Sequence, residues 1–257
     1  MFYDLGVRAF QRGVLEVAKR FGYAGIAVLL RDEDAEVLLK DAVTRERGVF
    51  YGVEIFADSI SEMKDKVRAF SGKVDVLAVH SRKDEKFNRA VLSDFRVDML
   101  TKAVEAELSA VCVRYAAENA VALEFNMDAI FKQRRKERAI ALSRFREMLT
   151  LVRKFKAMVV LTSNALSPYD LRAPREMLAL SSLFGMNTAE AKAALSEIPE
   201  GILNKRWKRE REKGVEILTV EELEEQEEQE EQEERKSRRR NKRRRSGRRR
   251  EKKKRKA

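Results

Sequence analysis

Seven short apolar runs limit the folds that this chain can adopt. They cover residues 2–7, 25–30, 49–55, 74–79, 97–100, 121–125 and 158–161. Most of each run is hydrophobic, without the regular polar alternation of a strand that has one face in water. Strands of this kind are buried on both faces, as in a parallel sheet that is covered by helices.

Helical patterns separate most of these runs. Phe10, Val14, Val17 and Phe21 recur at three- and four-residue steps and predict a helix over residues 9–21, with Gly22 as its C-cap. A weaker pattern predicts a helix over residues 34–46. A third helix should end near residue 70, and Ser59 or Ser61 could cap it. Ser61 has the better spacing.

The second half of the chain continues the alternation less clearly. Residues 88–92 predict a short helical turn. Residues 102–119 predict a helix that is broken or shared with a strand near residues 111–113. Asp128 is the predicted N-cap of one long helix over residues 129–156.

The last helices carry clear start signals. Pro174 suits the first position of a helix that runs to residue 184 and stops at Gly185. Asn187 and Glu190 resemble a capping box, and Pro199 should end the helix that they begin. Residues 202–213 predict a basic helix that contains the only tryptophan.

Strand and helix therefore alternate about seven times, which indicates the α/β class. No Gly-x-Gly-x-x-Gly or Walker motif follows any strand, so an open nucleotide-binding sheet lacks support. We predict a TIM-like (β/α) barrel of about seven parallel strands over residues 1–214.

A low-complexity tail should occupy residues 215–257. Residues 221–234 hold ten acidic and no basic residues, and residues 235–257 hold 17 Lys/Arg and one acid. Such a segment cannot bury apolar surface, so we expect it to be disordered or a single helix. It is either an additional RNA-binding arm or a dispensable solubilising tail.

Composition excludes several classes of protein. The single cysteine, Cys112, rules out an internal disulfide and a cysteine-based zinc site. The first residues lack the pattern of a signal peptide, and no apolar run approaches the ~18 residues of a membrane span. We expect a cytoplasmic protein.

The net charge of +12 indicates a polyanionic partner, with nucleic acid as the first candidate and a membrane surface as the second.

Polar residues cluster where the predicted strands end. In a barrel, the carboxyl ends of the strands share one face, where active sites form. Carboxylates and a histidine there could hold metals, but strand ends are polar in any α/β fold. The only histidine is too few for a typical multi-metal site, and His80 and Ser81 point to opposite faces. The set comprises Asp4, Glu54, His80, Ser81, Asp98, Glu124, Asn126, Ser163 and Asn164.

Basic clusters give a second signal. Each alone is usually a solvated face, but several clusters on a basic chain favour contact with phosphates. The candidate RNA-binding residues are Arg82, Lys83, Lys86, Arg89, Lys132, Arg134, Arg135, Lys136, Arg172 and Arg175.

In order and spacing, several motifs resemble the thirty-kilodalton protein subunit of ribonuclease P, called protein component 3 in archaea. The resemblance covers residues 1 to about 210. Its carriers include Tyr3-Asp4-Leu5, Gly52-Val53-Glu54-Ile55, Asp75-Val76-Leu77-Ala78-Val79-His80-Ser81, Glu124-Phe125-Asn126, Ser163-Asn164-Ala165 and Tyr169-Asp170-Leu171-Arg172-Ala173-Pro174.

The resemblance implies a barrel related to the PHP metal-dependent phosphoesterases. Those enzymes open with a His-x-His pair, where this chain has Tyr3-Asp4-Leu5. We therefore expect no catalytic residue and no metal or other cofactor bound by this chain. Its vestigial pocket would comprise Asp4, Glu54, His80, Glu124, Asn126, Ser163 and Asn164.

The resemblance also implies partners. These are the RNase P RNA, precursor tRNA, protein component 2 and other RNase P proteins. The RNA subunit would remove the 5′ leader with Mg²⁺, and this chain would support it by binding RNA. The alternative is an autonomous metal-dependent phosphoesterase of the PHP type.

Overall fold

The predicted parallel barrel is confirmed in the computed structural model, which describes residues 1–8, 13–35 and 47–205. Seven parallel strands lie side by side in chain order. They are β1 (Phe2–Val7), β2 (Tyr23–Arg31), β3 (Val49–Ile55), β4 (Val76–His80), β5 (Met99–Thr101), β6 (Ala122–Asn126) and β7 (Val159–Thr162).

The barrel closes where β1 meets β7. The Arg8 main-chain N–H donates to the Ala165 carbonyl at 2.8 Å, just past the ends of both strands. Gly6 allows the close approach, because a Cβ atom at this position would lie 2.8 Å from Thr162 Cγ2. Any side chain at position 6 would therefore push the two strands apart.

Helices cover the outside of the strands. The longest, α6, packs Phe145, Met148, Leu149 and Val152 inward. The described helices are α1 (Val14–Phe21), α2 (Ile60–Phe70), α3 (Glu85–Leu92), α4 (Ala110–Glu118), α5 (Asp128–Phe131), α6 (Arg135–Phe155), α7 (Pro174–Ser181), α8 (Thr188–Leu195) and α9 (Glu197–Leu203), with a 3₁₀ helix at Ser182–Phe184.

Several caps follow the predicted chemistry. Pro174 is the first residue of α7, and Asn187 and Glu190 form a capping box at the start of α8. The preference for Ser61 was wrong, since the Ser59 hydroxyl accepts the Glu62 N–H and caps α2. Ser59 has the extended backbone that an N-cap requires, whereas Ser61 lies inside the helix.

Three other boundaries differ from the predictions. Residues 102–107 form turns before α4, and no strand forms at residues 111–113. The expected long helix is two helices, and Asp128 is the first residue of α5 instead of a cap. Pro199 lies inside α9, where it ends nothing.

Helix α9 closes the amino end of the barrel. Ile202 packs into the interior cluster with Tyr3 and Leu5. Lys205, just beyond the helix, ion-pairs with Asp98 at 2.7 Å. Asp98 precedes β5, so it lies at the amino end of the barrel, and its prediction as a strand-end site residue was wrong.

Parts of the prediction lie outside the described residues. They include residues 9–12 of the first predicted helix, most of the helix predicted at residues 34–46, most of the basic helix at 202–213, the boundary at residue 214 and the whole tail. Among the described residues, no helix combines the length and apolarity needed to cross a membrane.

Candidate functional site at the carboxyl end of the barrel

The seven residues of the predicted pocket lie in or directly after β1, β3, β4, β6 and β7. Five of them are at the carboxyl ends of their strands, whereas Asp4 and Glu124 lie in the middle of β1 and β6. Most of the seven side chains are fully buried, and those of His80 and Asn164 are partly exposed. The parallel register brings strand ends together that are far apart in sequence, as the strand pattern predicted.

Arg8 lies at the centre of this pocket, and the sequence analysis did not single it out. Its guanidinium ion-pairs with Glu54 and Glu124, with 3.2 Å between Arg8 Nη2 and Glu124 Oε1. Its Nε donates to Asn164 Oδ1 at 2.7 Å. The side chain is only 11% exposed. One buried cation therefore joins groups from β1, β3, β6 and the segment after β7.

Both carboxylates accept from several donors. Glu54 accepts from Thr101 Oγ1 and lies 3.0 Å from His80 Nδ1. Glu124 accepts from Thr162 Oγ1 at 2.8 Å and from the Lys102 main-chain N–H at 2.9 Å. Together with Arg8, these donors engage both oxygens of each carboxylate.

The pKa of Glu54 shows the balance of these contacts. Burial alone raises the pKa of this carboxyl, but the hydrogen bond from His80, the charge of Arg8 and the Thr101 hydroxyl outweigh it, so the pKa lies below its ordinary value. Glu54 is therefore an ionised partner of Arg8 at neutral pH, and an acid catalyst is not expected here.

Asp4 has the opposite electrostatic environment. Burial raises the pKa of Asp4, although Ser163 and the Gly6 N–H donate hydrogen bonds that lower it. Its carboxylate accepts main-chain N–H groups of Gly6 at 3.0 Å and Ser163 at 3.3 Å. Asp4 thus ties the end of β1 to the end of β7.

A divalent metal does not fit this pocket. Among residues 1–8, 13–35 and 47–205, no group of three or more His, Cys, Asp or Glu side chains is arranged to hold one. The Arg8 guanidinium lies against both Glu54 and Glu124, where a bound cation would need their oxygens.

A stack of rings and a cation borders the pocket. The Phe56 ring stacks on His80 with 4.5 Å between centroids, and the Arg31 guanidinium lies 4.4 Å from the Phe56 centroid. The stack explains the position of His80, because the imidazole packs on Phe56 and bonds Glu54 at the same time. Ser81 turns away and donates to the Lys102 carbonyl, as the alternation of strand side chains predicted.

The basic cluster after β4 is only partly available. Arg82 donates to the Ala57 carbonyl at 2.6 Å and to Asp58 at 2.7 Å, so it supports the loop after β3. Lys83, Lys86 and Arg89 are exposed around α3. This cluster thus offers three exposed cations and one that already has a protein partner.

The clusters after β6 and β7 form one surface, which we call the β6–β7 basic surface. The Arg172 guanidinium lies 5.0 Å from the centroid of Phe131, the residue before Lys132. Arg134, Arg135, Lys136 and Arg175 are exposed, and no ion pair within 4 Å is found for them in the described chain. The surface comprises Lys132, Arg134, Arg135, Lys136, Arg172 and Arg175.

Comparisons with known proteins match most of the chain. A family model described as RNase P subunit p30 matches residues 1–211. A ribonuclease P protein component 3 of Methanococcoides burtonii is 40% identical over 214 residues, which are 80% of this chain and 88% of the relative. The protein of that name from Methanosarcina acetivorans is 34% identical over 236 residues, 86% of this chain and 98% of the relative.

A solved structure shares the fold. A chain of an archaeal ribonuclease P determined by cryo-EM with mature tRNA aligns with a TM-score of 0.67 and 24% identity. The alignment covers 79% of this chain and 90% of that chain. The barrel architecture is therefore shared at low sequence identity.

Proposed function

Because the chain belongs to the RNase P subunit p30 family, we propose that it is an RNA-binding protein subunit of ribonuclease P. In this role it supports removal of the 5′ leader from precursor tRNA. The chemistry is performed by the RNA subunit with Mg²⁺, and this chain binds no metal or other cofactor. Its proposed location is the cytoplasm.

The observation that carries this proposal is the β6–β7 basic surface. Two clusters that are separated in sequence lie in the segments that follow the adjacent strands β6 and β7. Most of their cations are exposed. Lys132 has a carboxylate neighbour, Asp128, at 3.5 Å, whereas Arg134, Arg135 and Lys136 have none within 4 Å among the described residues. Exposed cations of this density can neutralise RNA phosphates. The counterions that had been bound to the RNA are then released, which favours binding.

The proposed partners are the RNase P RNA, precursor tRNA, protein component 2 and other RNase P proteins. Cations on the β6–β7 basic surface would offset repulsion between RNA phosphates and so help the RNA to adopt its active fold. Two proteins named ribonuclease P protein component 3 support the assignment, because their similarity to this chain extends over most of their own length.

The alternative, an autonomous phosphoesterase, is disfavoured by Arg8. A metal-dependent hydrolase needs open positions on its metal for water and substrate. Here the guanidinium contacts both buried glutamates, and other protein groups donate to each of them, Thr101 to Glu54 and Lys102 N–H to Glu124 among them. The pocket therefore lacks the free ligands on which that chemistry depends.

Salt-dependent RNA binding tests the proposal. We expect the full-length chain to bind RNase P RNA, and replacing Lys132, Arg134, Arg135 and Lys136 with alanine to weaken binding. The slope of log K against log[salt] should fall by about 0.7–0.9 for each phosphate that the variant no longer neutralises.

A matched control separates local contact from overall charge. Lys19, Arg20, Lys73 and Lys154 are also exposed, and they lie near the helix ends that precede strands, at the opposite end of the barrel. Their replacement removes the same charge but should leave most of the slope intact. Equal reductions of the slope in both variants would show that only net charge matters, and the β6–β7 basic surface would lose its assigned role.

A further inference from the structure

Tyr169 is the most exposed aromatic residue in the described part of the chain, with 90% of its surface accessible. It lies in the loop between β7 and α7, at the carboxyl end of the barrel. Leu166 in the same loop is also exposed. A tyrosine ring this free of protein contacts contributes little to the core, so its position requires another explanation.

The loop that carries Tyr169 is held in place by hydrogen bonds. Asp170 Oδ2 accepts from the Ser167 hydroxyl at 2.9 Å and from the Leu166 N–H at 3.2 Å. Arg172 Nη1 donates to the Tyr169 carbonyl at 2.9 Å. The Tyr23 hydroxyl donates to the Arg172 carbonyl at 2.9 Å and fixes the loop to β2. The exposed ring therefore projects from an ordered backbone.

Cations lie near the loop that carries the ring. The Arg172 guanidinium that bonds the Tyr169 carbonyl also packs on Phe131, and Lys132 follows directly. This chain of contacts places Tyr169 at the edge of the β6–β7 basic surface. A bare aromatic ring beside cations suits a nucleic acid strand, whose bases stack while its phosphates meet the charges. The central part of a protein–protein interface is, in contrast, depleted of lysine.

We propose that Tyr169 is a stacking platform for an unpaired RNA base, with the phosphates of the same strand on Arg172 and Lys132. This inference rests on the proposed function and adds the kind of RNA that is recognised. Bases in a duplex are covered by their neighbours, so only a single-stranded loop, bulge or end can offer a free face. Tyr169 thus directs this subunit to unpaired RNA.

The test compares two RNA probes and three forms of the full-length chain. The probes are a fluorescent oligoadenylate of about a dozen nucleotides and a fully paired duplex of the same length. Tyr169→Ala should weaken binding of the oligoadenylate by roughly 5- to 150-fold, which corresponds to one stacked base. Tyr169→Phe keeps the ring and should bind as the unmodified chain does. Duplex binding should be unaffected by either change.

Salt dependence distinguishes stacking from charge. Because Tyr169 carries no charge, Tyr169→Ala should leave the slope of log K against log[salt] unchanged while it lowers the affinity. Phe95→Ala is the matched control, since Phe95 is also exposed but precedes β5 at the opposite end of the barrel. Its affinity for both probes should equal that of the unmodified chain.

Several results would overturn the inference, and they are distinguishable from failure of the proposed function. Unchanged oligoadenylate binding by Tyr169→Ala, or an equal decrease in affinity for Phe95→Ala, would eliminate the stacking role while RNA binding itself stands. A variant that binds RNA normally but fails to assemble with RNase P proteins would assign Tyr169 to a protein contact. An unmodified chain that binds neither RNase P RNA nor the oligoadenylate would refute the proposed function as well.

Discussion

At the residue scale, Arg8 explains why a pocket of buried carboxylates is stable without a metal. Two glutamates taken out of water would each cost several kcal/mol if left unpaired. Arg8 pairs with both from within the chain and offsets one of their two charges, and its main-chain N–H also holds the seam between β1 and β7. The cation is therefore a structural part of the barrel mouth.

Replacing Arg8 with methionine should destabilise the fold. The change leaves Glu54 and Glu124 buried without their cation, which should lower the free energy of unfolding by about 3–5 kcal/mol at pH 7. Urea denaturation measures this decrease. Arg153→Met is the control, because Arg153 pairs with Glu190 at an exposed site and should cost about 1 kcal/mol or less.

The same variant should alter the pH dependence of stability. The folded-state pKa of Glu54 is lowered, so its contribution is present above the ordinary value of 4.5 and is lost as the pH falls through the folded value. As the pH falls from about 4.5 through the folded value, the unmodified chain should therefore lose more stability than Arg8→Met. Parallel pH profiles would contradict the coupling between Arg8 and Glu54.

Asp4→Asn should show the opposite trend. Because burial raises the folded-state pKa of Asp4, its ionisation disfavours the fold as the pH rises above the ordinary value of 3.8. Asparagine keeps an oxygen that accepts from Gly6 or Ser163 but never ionises. The stability of the variant relative to the unmodified chain should increase from pH 4 to pH 8. A pH-independent difference, measured by urea denaturation, would contradict the raised pKa.

Sequence reasoning found the pocket residues but missed the cation between them. Strand ends are visible as the points where apolar runs stop, which identified Glu54, His80 and Glu124. Arg8 follows β1 just as directly, yet its partners lie 46 and 116 residues away in sequence. Only the closed barrel brings them together, so no local pattern could assign the ion pairs.

At the element scale, the strands were predictable because buried parallel strands leave continuous apolar runs. Helix ends were less predictable. Pro199 suggested a stop, but it is the third residue of α9. An N–H at this position would have no acceptor within the helix, so proline loses no helical hydrogen bond there. Proline in a first turn is compatible with a helix, so residue type alone could not distinguish an end from a beginning.

Helix α9 should contribute to stability through Ile202. This side chain packs against Tyr3 and Leu5 at the amino end of the barrel. Ile202→Ala should lower the free energy of unfolding by about 2–5 kcal/mol, because it leaves a cavity in the interior. Leu183→Ala, at an exposed site, should change it by about 0.5 kcal/mol or less. Equal effects in urea denaturation would contradict the proposed packing of α9.

At the scale of the whole molecule, buried and exposed charges have different tasks. The barrel mouth pairs its two buried glutamates internally with Arg8, whereas the β6–β7 basic surface leaves most of its cations exposed. Composition revealed the overall excess of +12. It could not show that the residue 132–136 and residue 172–175 clusters meet, since this depends on β6 and β7 being neighbours.

The charged tail should add to RNA affinity without supporting the fold. Removing residues 221–257 deletes both the acidic and the arginine-rich blocks. We expect weaker binding of RNase P RNA and a smaller salt slope, because the truncated chain neutralises fewer phosphates. The midpoint of urea denaturation should stay the same. An unchanged salt slope would show that the tail does not touch RNA.

Reconstitution of ribonuclease P tests the central claim most directly. Removal of the 5′ leader from precursor tRNA would be measured with Mg²⁺ for the RNA subunit and its other proteins, with and without this chain, and for this chain alone. We predict faster cleavage when the chain is added and no cleavage by the chain alone. Cleavage by the chain alone that is abolished by Glu54→Ala or His80→Ala would contradict the account.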